Sequence, residues 1–291
     1  MTGLKVIIFD VEHGFCAFLK SPTGRTLLID CGKASKFSPI KYLTDNELPD
    51  CADEEPFYFT KFILSHPHGD HVEDIENLKT YKPRIISRQS DYDWKAVEEA
   101  NTESGMEKVN SYKNWQKSYD QKAPQIDWGL DIFQSDYLTP SEANTLEEST
   151  MVNNSSIPVI VNFKGTQCSE KFLFAGDLEE KGWKELLKKK SFKEKIQGTD
   201  FFVTSHHGHS SGYCKEIFEA MGKPILNIVS ARSGDESVES AYSKSENSHG
   251  IELGGVKRYM LSTRNDGSIC ITVNSEGKYS LRCDRYRDNL K

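Results

Sequence analysis

Six of the eight histidines in this 291-residue chain fall into two short runs, and no other feature constrains the fold as strongly. His66, His68 and His71 form one run, His206, His207 and His209 the other, and no histidine lies between 72 and 205. Each run follows directly on an apolar stretch of strand character, FYFTKFILS (57–65) and DFFVTS (200–205). Imidazoles packed together without a cation compete for partners and repel one another when protonated. A metal ion removes that conflict, and imidazole with carboxylate suits zinc, manganese or iron.

The segment Ser65-His66-Pro67-His68-Gly69-Asp70-His71 sharpens the reading. On a tight loop the imidazoles at i and i+2 can converge on one cation, which leaves Asp70 and His71 for a second beside it. Two cations about 3.5–4 Å apart polarise a substrate oxygen and activate water between them. The other strand-like runs are LKVIIFDV (4–11), FCAFLK (15–20), TLLID (26–30), RIIS with its flanks, DIFQSDYL (131–138), SIPVIVNF (156–163), KFLFAGD (171–177), ILNIVS (225–230), RYMLST (258–263) and SICITV (268–273). Helical periodicity appears in VEDIENLKTY, EEKGWKELLKKK and around YCKEIFEAM. Strand groups alternating with helices predict α/β layering in one continuous domain over 1–291. A polar, helix-patterned insertion at about 89–129, dotted with aromatics, interrupts it, and 233–250 reads as a long loop.

These elements resemble the metallo-β-lactamase-fold hydrolases, whose signature is H-x-H-x-D-H after a core strand. They resemble in particular the branch typified by the hydrolase domain of the ComEC DNA-uptake channel. The shared elements are Asp10-Val11-Glu12-His13-Gly14, Ile29-Asp30-Cys31-Gly32, Asn153-Asn154-Ser155-Ser156, Gly176-Asp177, His206-His207-Gly208, His249, and Thr263 to Gly267. They occur in the expected order over nearly the whole chain outside the insertion. The resemblance implies an αββα sandwich with its site at one edge and two divalent metal ions, zinc or manganese. Carried over residue by residue, His66 and His68 hold one metal, Asp70 and His71 the other, Asp177 bridges them and His206 completes the set. His207 is a neighbouring ligand or a hydrogen-bond partner. Asp30 fixes a ligand imidazole's tautomer or caps a turn, His13 lies in the second shell or meets substrate, and Asn153 or Asn154 fills a coordination position or binds substrate. The catalytic candidates are Asp70 and His249, the latter as proton donor or phosphate contact. The chain departs from the pattern at Glu12, Phe15 and His209, and it lacks the further ligand histidine many members carry before the bridging aspartate.

The implied function is a phosphodiesterase, most readily a nuclease, acting on nucleic acid or a nucleotide. The alternatives are a lactam, lactone or thioester hydrolase of the same fold, or a partner-binding effector subunit such as those of multi-component antiviral systems. With 37 Lys and Arg against 44 acids, net −7, the chain is not a histone-like basic binder. Lysines at 181, 184, 188, 189, 190, 193 and 195 interleave with glutamates and read as a solvated helix face. The N-terminus lacks a signal-like pattern and no apolar run reaches the ~20 residues of a membrane span, so a cytoplasmic location without membrane partners is expected. Seven cysteines without a C-x-x-C pair predict reduced, mostly buried thiols.

Overall fold

The computed structural model describes residues 3–50, 56–89, 91–134, 136–146, 150–232, 234 and 237–284. Its strands are β1 (Leu4–Ile8), β2 (Ala17–Lys20), β3 (Thr26–Ile29), β4 (Phe59–Ile63), β5 (Pro83–Ser87), β6 (Asp131–Phe133), β7 (Val159–Lys164), β8 (Ser169–Phe174), β9 (Phe201–Val203), β10 (Leu226–Val229), β11 (Ile251–Leu253), β12 (Val256–Arg258), β13 (Met260–Ser262), β14 (Ser268–Val273) and β15 (Tyr279–Asp284). One sheet has the order β15-β14-β1-β2-β3-β4-β5, a second the order β13-β10-β9-β8-β7-β6, and β11-β12 form a separate hairpin. The first sheet is antiparallel from β15 to β3 and parallel from β3 to β5. The second is parallel from β13 to β8 and antiparallel from β8 to β6.

The central strands read as apolar runs because both of their faces are covered. Leu4, Val6 and Ile8 of β1 share a core with Phe172 and Phe174 of β8 and Phe201 of β9, between the sheets. Their neighbours point outward under helices. Ile7 and Phe9 join Ile40 and Leu43 of α1 (Pro39–Asn46) and Ile75 and Leu78 of α2 (Ile75–Thr80). Leu173 and Phe202 join the fully buried Trp183 of α7 (Glu180–Leu186), Phe192 of α8 (Lys190–Ile196) and Ile217 of α9 (Lys215–Met221). The result is the layered α/β arrangement expected, helices outside two facing sheets.

The insertion contains α3 (Trp94–Glu99) and α4 (Glu103–Trp115), after which 119–129 carries no helix. The remaining helices, α5 (Pro140–Ala143), α6 (Met151–Asn154) and α10 (Thr263–Asp266), are single turns. The last lies between the strand-like runs 258–263 and 268–273. Of the 131–138 run only 131–133 is strand, and position 135 lies outside the described residues. The 233–250 stretch carries a 3-10 turn at Ser240–Ser243, while 233, 235 and 236 lie outside the described residues. Cys16, Cys31, Cys214 and Cys270 are buried free thiols, whereas Cys168 is exposed. No described helix is long and apolar enough to cross a membrane.

Candidate metal centre

The sheets place the C-terminal ends of β1, β3, β4, β8, β9 and β10 along one edge, and the loops that leave them build the site. The four non-glycine residues with positive φ among the described residues lie in these loops: Glu12 (63°), Asp30 (56°), His206 (49°) and His207 (53°). Left-handed backbone at such residues costs on the order of 1–3 kcal/mol each and persists where the surroundings over-determine it. Gly14 has φ 102°, and a Cβ there would lie 2.3 Å from the Asp70 carbonyl oxygen. Only glycine lets the first loop close onto the histidine loop.

Asp177 is the focus of the site. Its Oδ2 lies 3.6 Å from His66 Nε2 and 3.5 Å from His207 Nε2, and its Oδ1 lies 3.4 Å from His71 Nε2. The opposite nitrogen of each imidazole is already committed. His71 Nδ1 donates to Asp30 Oδ2 at 2.7 Å and His207 Nδ1 donates to the Ser230 carbonyl at 3.2 Å. Ser65 Oγ donates to Asp30 Oδ2 at 2.6 Å and is left to accept from His66 Nδ1 at 3.0 Å. Acceptor-only partners at Nδ1 fix the tautomer and leave Nε2 with its lone pair. His66 Nε2 also lies 3.1 Å from His68 Nδ1, from which it accepts, while the lone pairs of His71 and His207 face the carboxylate, an arrangement that holds only if a proton or a cation lies between them. Among the described residues the buried Nε2 atoms of His71 and His207 have no hydrogen-bond partner.

The donors fall into groups able to hold an ion. One comprises His66, His68 and Asp177, a second His71, Asp177 and His207, and a third His13, Asp70 and His207, with ligand atoms within 4.8 Å of one another in each. Asp177 belongs to two of them, and Asp70 Oδ2 lies 3.4 Å from His207 Nε2 and 3.9 Å from His71 Nε2. Ligands about 2.0–2.2 Å from one tetrahedral zinc are separated by roughly these distances. The residues present therefore fit divalent cations.

Electrostatics agree. Burial opposes charge on Asp70 and Asp177, but the surrounding histidines outweigh it and hold both carboxyls well below the usual range. Burial likewise opposes charge on His207, yet Asp177 and Asp70 raise it to about 10, and His71 is raised in the same way. His66 and His68 are lowered, chiefly by burial. The two carboxylates and the imidazoles of His71 and His207 thus favour positive charge between them.

Other expected residues are elsewhere. His206 lines the cavity above the centre, with its Nδ1 bonded to Ser211 Oγ at 2.8 Å, and joins none of the three groups, whereas His207 joins two of them. Two successive left-handed residues turn the chain there, so the second imidazole faces Asp177. Asn153 and Asn154 do not meet the ion-holding groups either. Their side-chain amides donate to the two oxygens of Glu179 at 3.0 Å, and Asn154 Oδ1 accepts from the Glu179 backbone, which clamps the loop after Asp177. His249 is remote. Its backbone N–H bonds the Pro224 carbonyl ahead of β10, whereas His207 meets Ser230 beyond the other end of that strand. The six residue steps from Pro224 to Ser230, along and just beyond β10, separate them by about 20 Å. The late loop folds back at the end of β10 opposite the ion-holding groups.

The cavity over the centre is about 510 Å³ and is also lined by Lys33, Glu73, Arg232 and the start of α4. Lys33 and Arg232 carry no signal in the sequence that would single them out. Asn101, from the insertion, accepts from the Gly69 N–H at 2.8 Å and donates to the Pro67 carbonyl at 3.1 Å. The insertion thus braces the histidine loop. Gly69 and Gly105 pack backbone to backbone, for a Cβ on Gly69 would come within 2.4 Å of the Gly105 Cα.

No protein-family model matches this chain, and no curated protein matches it. Solved structures do. A diphosphatase of the PhnP family matches at 9% identity and TM-score 0.42, over 89% of this chain and 94% of that one. A long-form RNase Z from yeast matches at 10% and 0.43, over 92% and 42%. A motif mutant of a metallo-β-lactamase from Cronobacter sakazakii matches at 15% and 0.37, over 70% and 77%. Likeness at this level says nothing of substrate.

Proposed function

We propose that this chain is a metal-dependent phosphodiesterase acting on nucleic acid or a nucleotide. The observation that carries the reading is the ring of three imidazoles, each with its Nδ1 engaged, around a carboxylate shared by two ion-holding groups. His66, His68 and Asp177 would hold one divalent ion, and His71, His207, Asp177 and Asp70 the other, with His13 beside Asp70. Such ions, zinc or manganese for this donor set, supply charge neutralisation on phosphoryl oxygens and an acidified water.

The chain's own groups do the rest. Asp30 and Ser65 orient His71 and His66. Lys33 and Arg232 reach the cavity, where cationic side chains bind non-bridging phosphate oxygens. His206 lines the cavity outside the ion-holding groups, with Nδ1 held by Ser211, and would meet substrate there, which His249 is too distant to do. Phosphoryl transfer asks mainly for positioning and charge stabilisation, which two ions held by imidazoles and the carboxylates of Asp70 and Asp177, with Lys33 and Arg232 beside them, would supply. The resemblance of the Asp10–Gly14, Ile29–Gly32 and Asn153–Ser156 elements to the ComEC branch supports a phosphodiester over an acyl substrate.

The test is turnover of bis(p-nitrophenyl) phosphate and of single- and double-stranded nucleic acid by protein loaded with manganese or zinc. Cleavage of the phosphodiesters is expected, with Asp70→Ala inactive. Efficient hydrolysis of a lactam, lactone or thioester with every phosphodiester untouched would overturn the proposal.

A further inference from the structure

A second cavity, about 660 Å³, opens beside β5, the edge strand of the seven-stranded sheet, and shares no lining residue with the metal centre. Its wall is aromatic: Trp115 and Tyr119 meet edge to face at 5.3 Å, and Tyr119 is fixed by a 2.7 Å hydrogen bond from its hydroxyl to the Pro83 carbonyl. Its rim is basic. Lys82 lies 5.6 Å over the Phe57 ring, and Arg84 and Lys122 make no ion pair among the described residues. Lysine and arginine on an edge strand also discourage edge-to-edge pairing, but that purpose needs neither a cavity nor a fixed aromatic pair. In a chain of net charge −7, Lys82, Arg84 and Lys122 form a local basic group without an ion pair among the described residues, while Lys79 on the same rim pairs with Glu76. The more obvious lysine run is spent on partners: Lys184 pairs with Glu180, Lys188 with Glu185, Lys190 with Glu194 and Lys195 with Asp136.

Helix α4 joins the two cavities. Thr102, Ser104 and Gly105 at its start line the metal centre, and Trp115 at its end lines the second cavity. Thirteen residues at 1.5 Å each put the two about 20 Å apart. Stacking platforms flanked by cations are how proteins hold single strands without reading sequence. We infer that the second cavity is a subsite for single-stranded nucleic acid, which stacks a base on Trp115 and Tyr119 and contacts flanking phosphates through Arg84 and Lys122. The strand would then run along α4 to the histidine centre. This deepens the phosphodiesterase reading and rests on it for the direction of the strand.

The experiment titrates metal-loaded protein into a fluorescein-labelled phosphorothioate oligonucleotide of about 16 nucleotides, the upper end of site sizes on such surfaces. Anisotropy is read at several salt concentrations. Trp115→Ala should weaken binding roughly 5- to 150-fold. The surface pair Arg84→Glu and Lys122→Glu should weaken it too and reduce the salt slope by at least about 1.4, for two lost phosphate contacts on a single strand. Turnover of bis(p-nitrophenyl) phosphate should remain at the wild-type rate in both. Wild-type affinity in the charge-reversal pair overturns the proposal, as does absence of oligonucleotide binding by the wild type. A free mononucleotide that binds as tightly as the oligonucleotide overturns the polymer assignment, and polyphosphate that binds as tightly overturns the stacking. If wild-type protein leaves bis(p-nitrophenyl) phosphate intact, the hydrolase reading fails by itself and the anisotropy series still decides this one.

Discussion

Replacement of Asp30 by asparagine tests how the centre is wired with almost no change in shape. Asp30 is fully buried and accepts from Ser65 N at 2.7 Å through Oδ1, and from Ser65 Oγ at 2.6 Å and His71 Nδ1 at 2.7 Å through Oδ2. The Ser65 backbone N–H cannot become an acceptor, so in Asp30→Asn the amide oxygen must stay at the Oδ1 position. The amide NH2 then faces His71 Nδ1. To accept from it, His71 must move its proton to Nε2 and point an N–H at Asp177, so the lone pair that would bind a cation is gone. Loss of an outer partner of a metal-ligating histidine typically costs 10–100-fold in metal affinity, about 1.4–2.7 kcal/mol. The Ser65 N–H bond survives, so the fold should survive with it. We expect circular dichroism like the wild type, a melting temperature lower by a few degrees, and at least tenfold weaker zinc binding in competition with a chromophoric chelator. Asp30→Ala, which strands all three donors, should lose far more stability. Zinc affinity in Asp30→Asn equal to the wild type would refute the assignment of His71 Nε2 as a ligand.

Chelation of bound metal should lower the melting temperature by several degrees, since a ligand at 100 times its Kd stabilises by about 2.7 kcal/mol; calorimetry with and without a chelator checks this. Gly14→Ala forces a Cβ to within 2.3 Å of the Asp70 carbonyl at φ 102° and should cut turnover at least tenfold while the sheets persist. Trp183→Ala, at a fully buried position between α7 and the second sheet, should cost about 3–5 kcal/mol in urea unfolding and leave metal stoichiometry intact. Burial, and then the charge of Asp200, raises the Glu170 carboxyl from 4.5 to about 8. The folded chain therefore keeps a proton there that the unfolded chain releases, so the stability from this group is complete below about 4.5 and lost as pH rises through about 8. Glu170→Gln should flatten that decline in melting temperature, and an unchanged pH profile would dismiss it.

The clustering of candidate ligands was legible where one tight loop or one strand end carries several ligand types together. His66, His68, Asp70 and His71 sit within six positions, so no tertiary arrangement can separate them, and Gly176-Asp177 ends a strand whose apolar pattern is plain. Asp30 was legible for the same reason, as the polar end of TLLID. The choice between His206 and His207 was not, because it depends on two consecutive left-handed residues that no apolar period announces. His249 was misplaced because sequence order says nothing of which sheet edge a loop returns to; here backbone bonds to Pro224 and Ile225 decide it. Asn153 and Asn154 are turned away by Glu179, a pairing across a loop that spacing cannot reveal. Among the strands, β15 and the β11–β12 hairpin were missed because they are short or half exposed and lack the apolar run that marks the covered strands. The second cavity, too, unites residues from β5, α4 and the segment after it, none of which forms a motif by itself.

The account turns on Asp177 as the carboxylate common to two cation sites, and metal stoichiometry tests that most directly. Wild-type protein and the His68→Ala, His207→Ala and Asp177→Ala variants would be equilibrated with zinc or manganese, desalted and measured by inductively coupled plasma mass spectrometry. The account predicts up to two equivalents in the wild type, about one in each histidine variant and close to none in Asp177→Ala, with all four proteins folded. Two equivalents retained in Asp177→Ala, or none in the wild type, would contradict it.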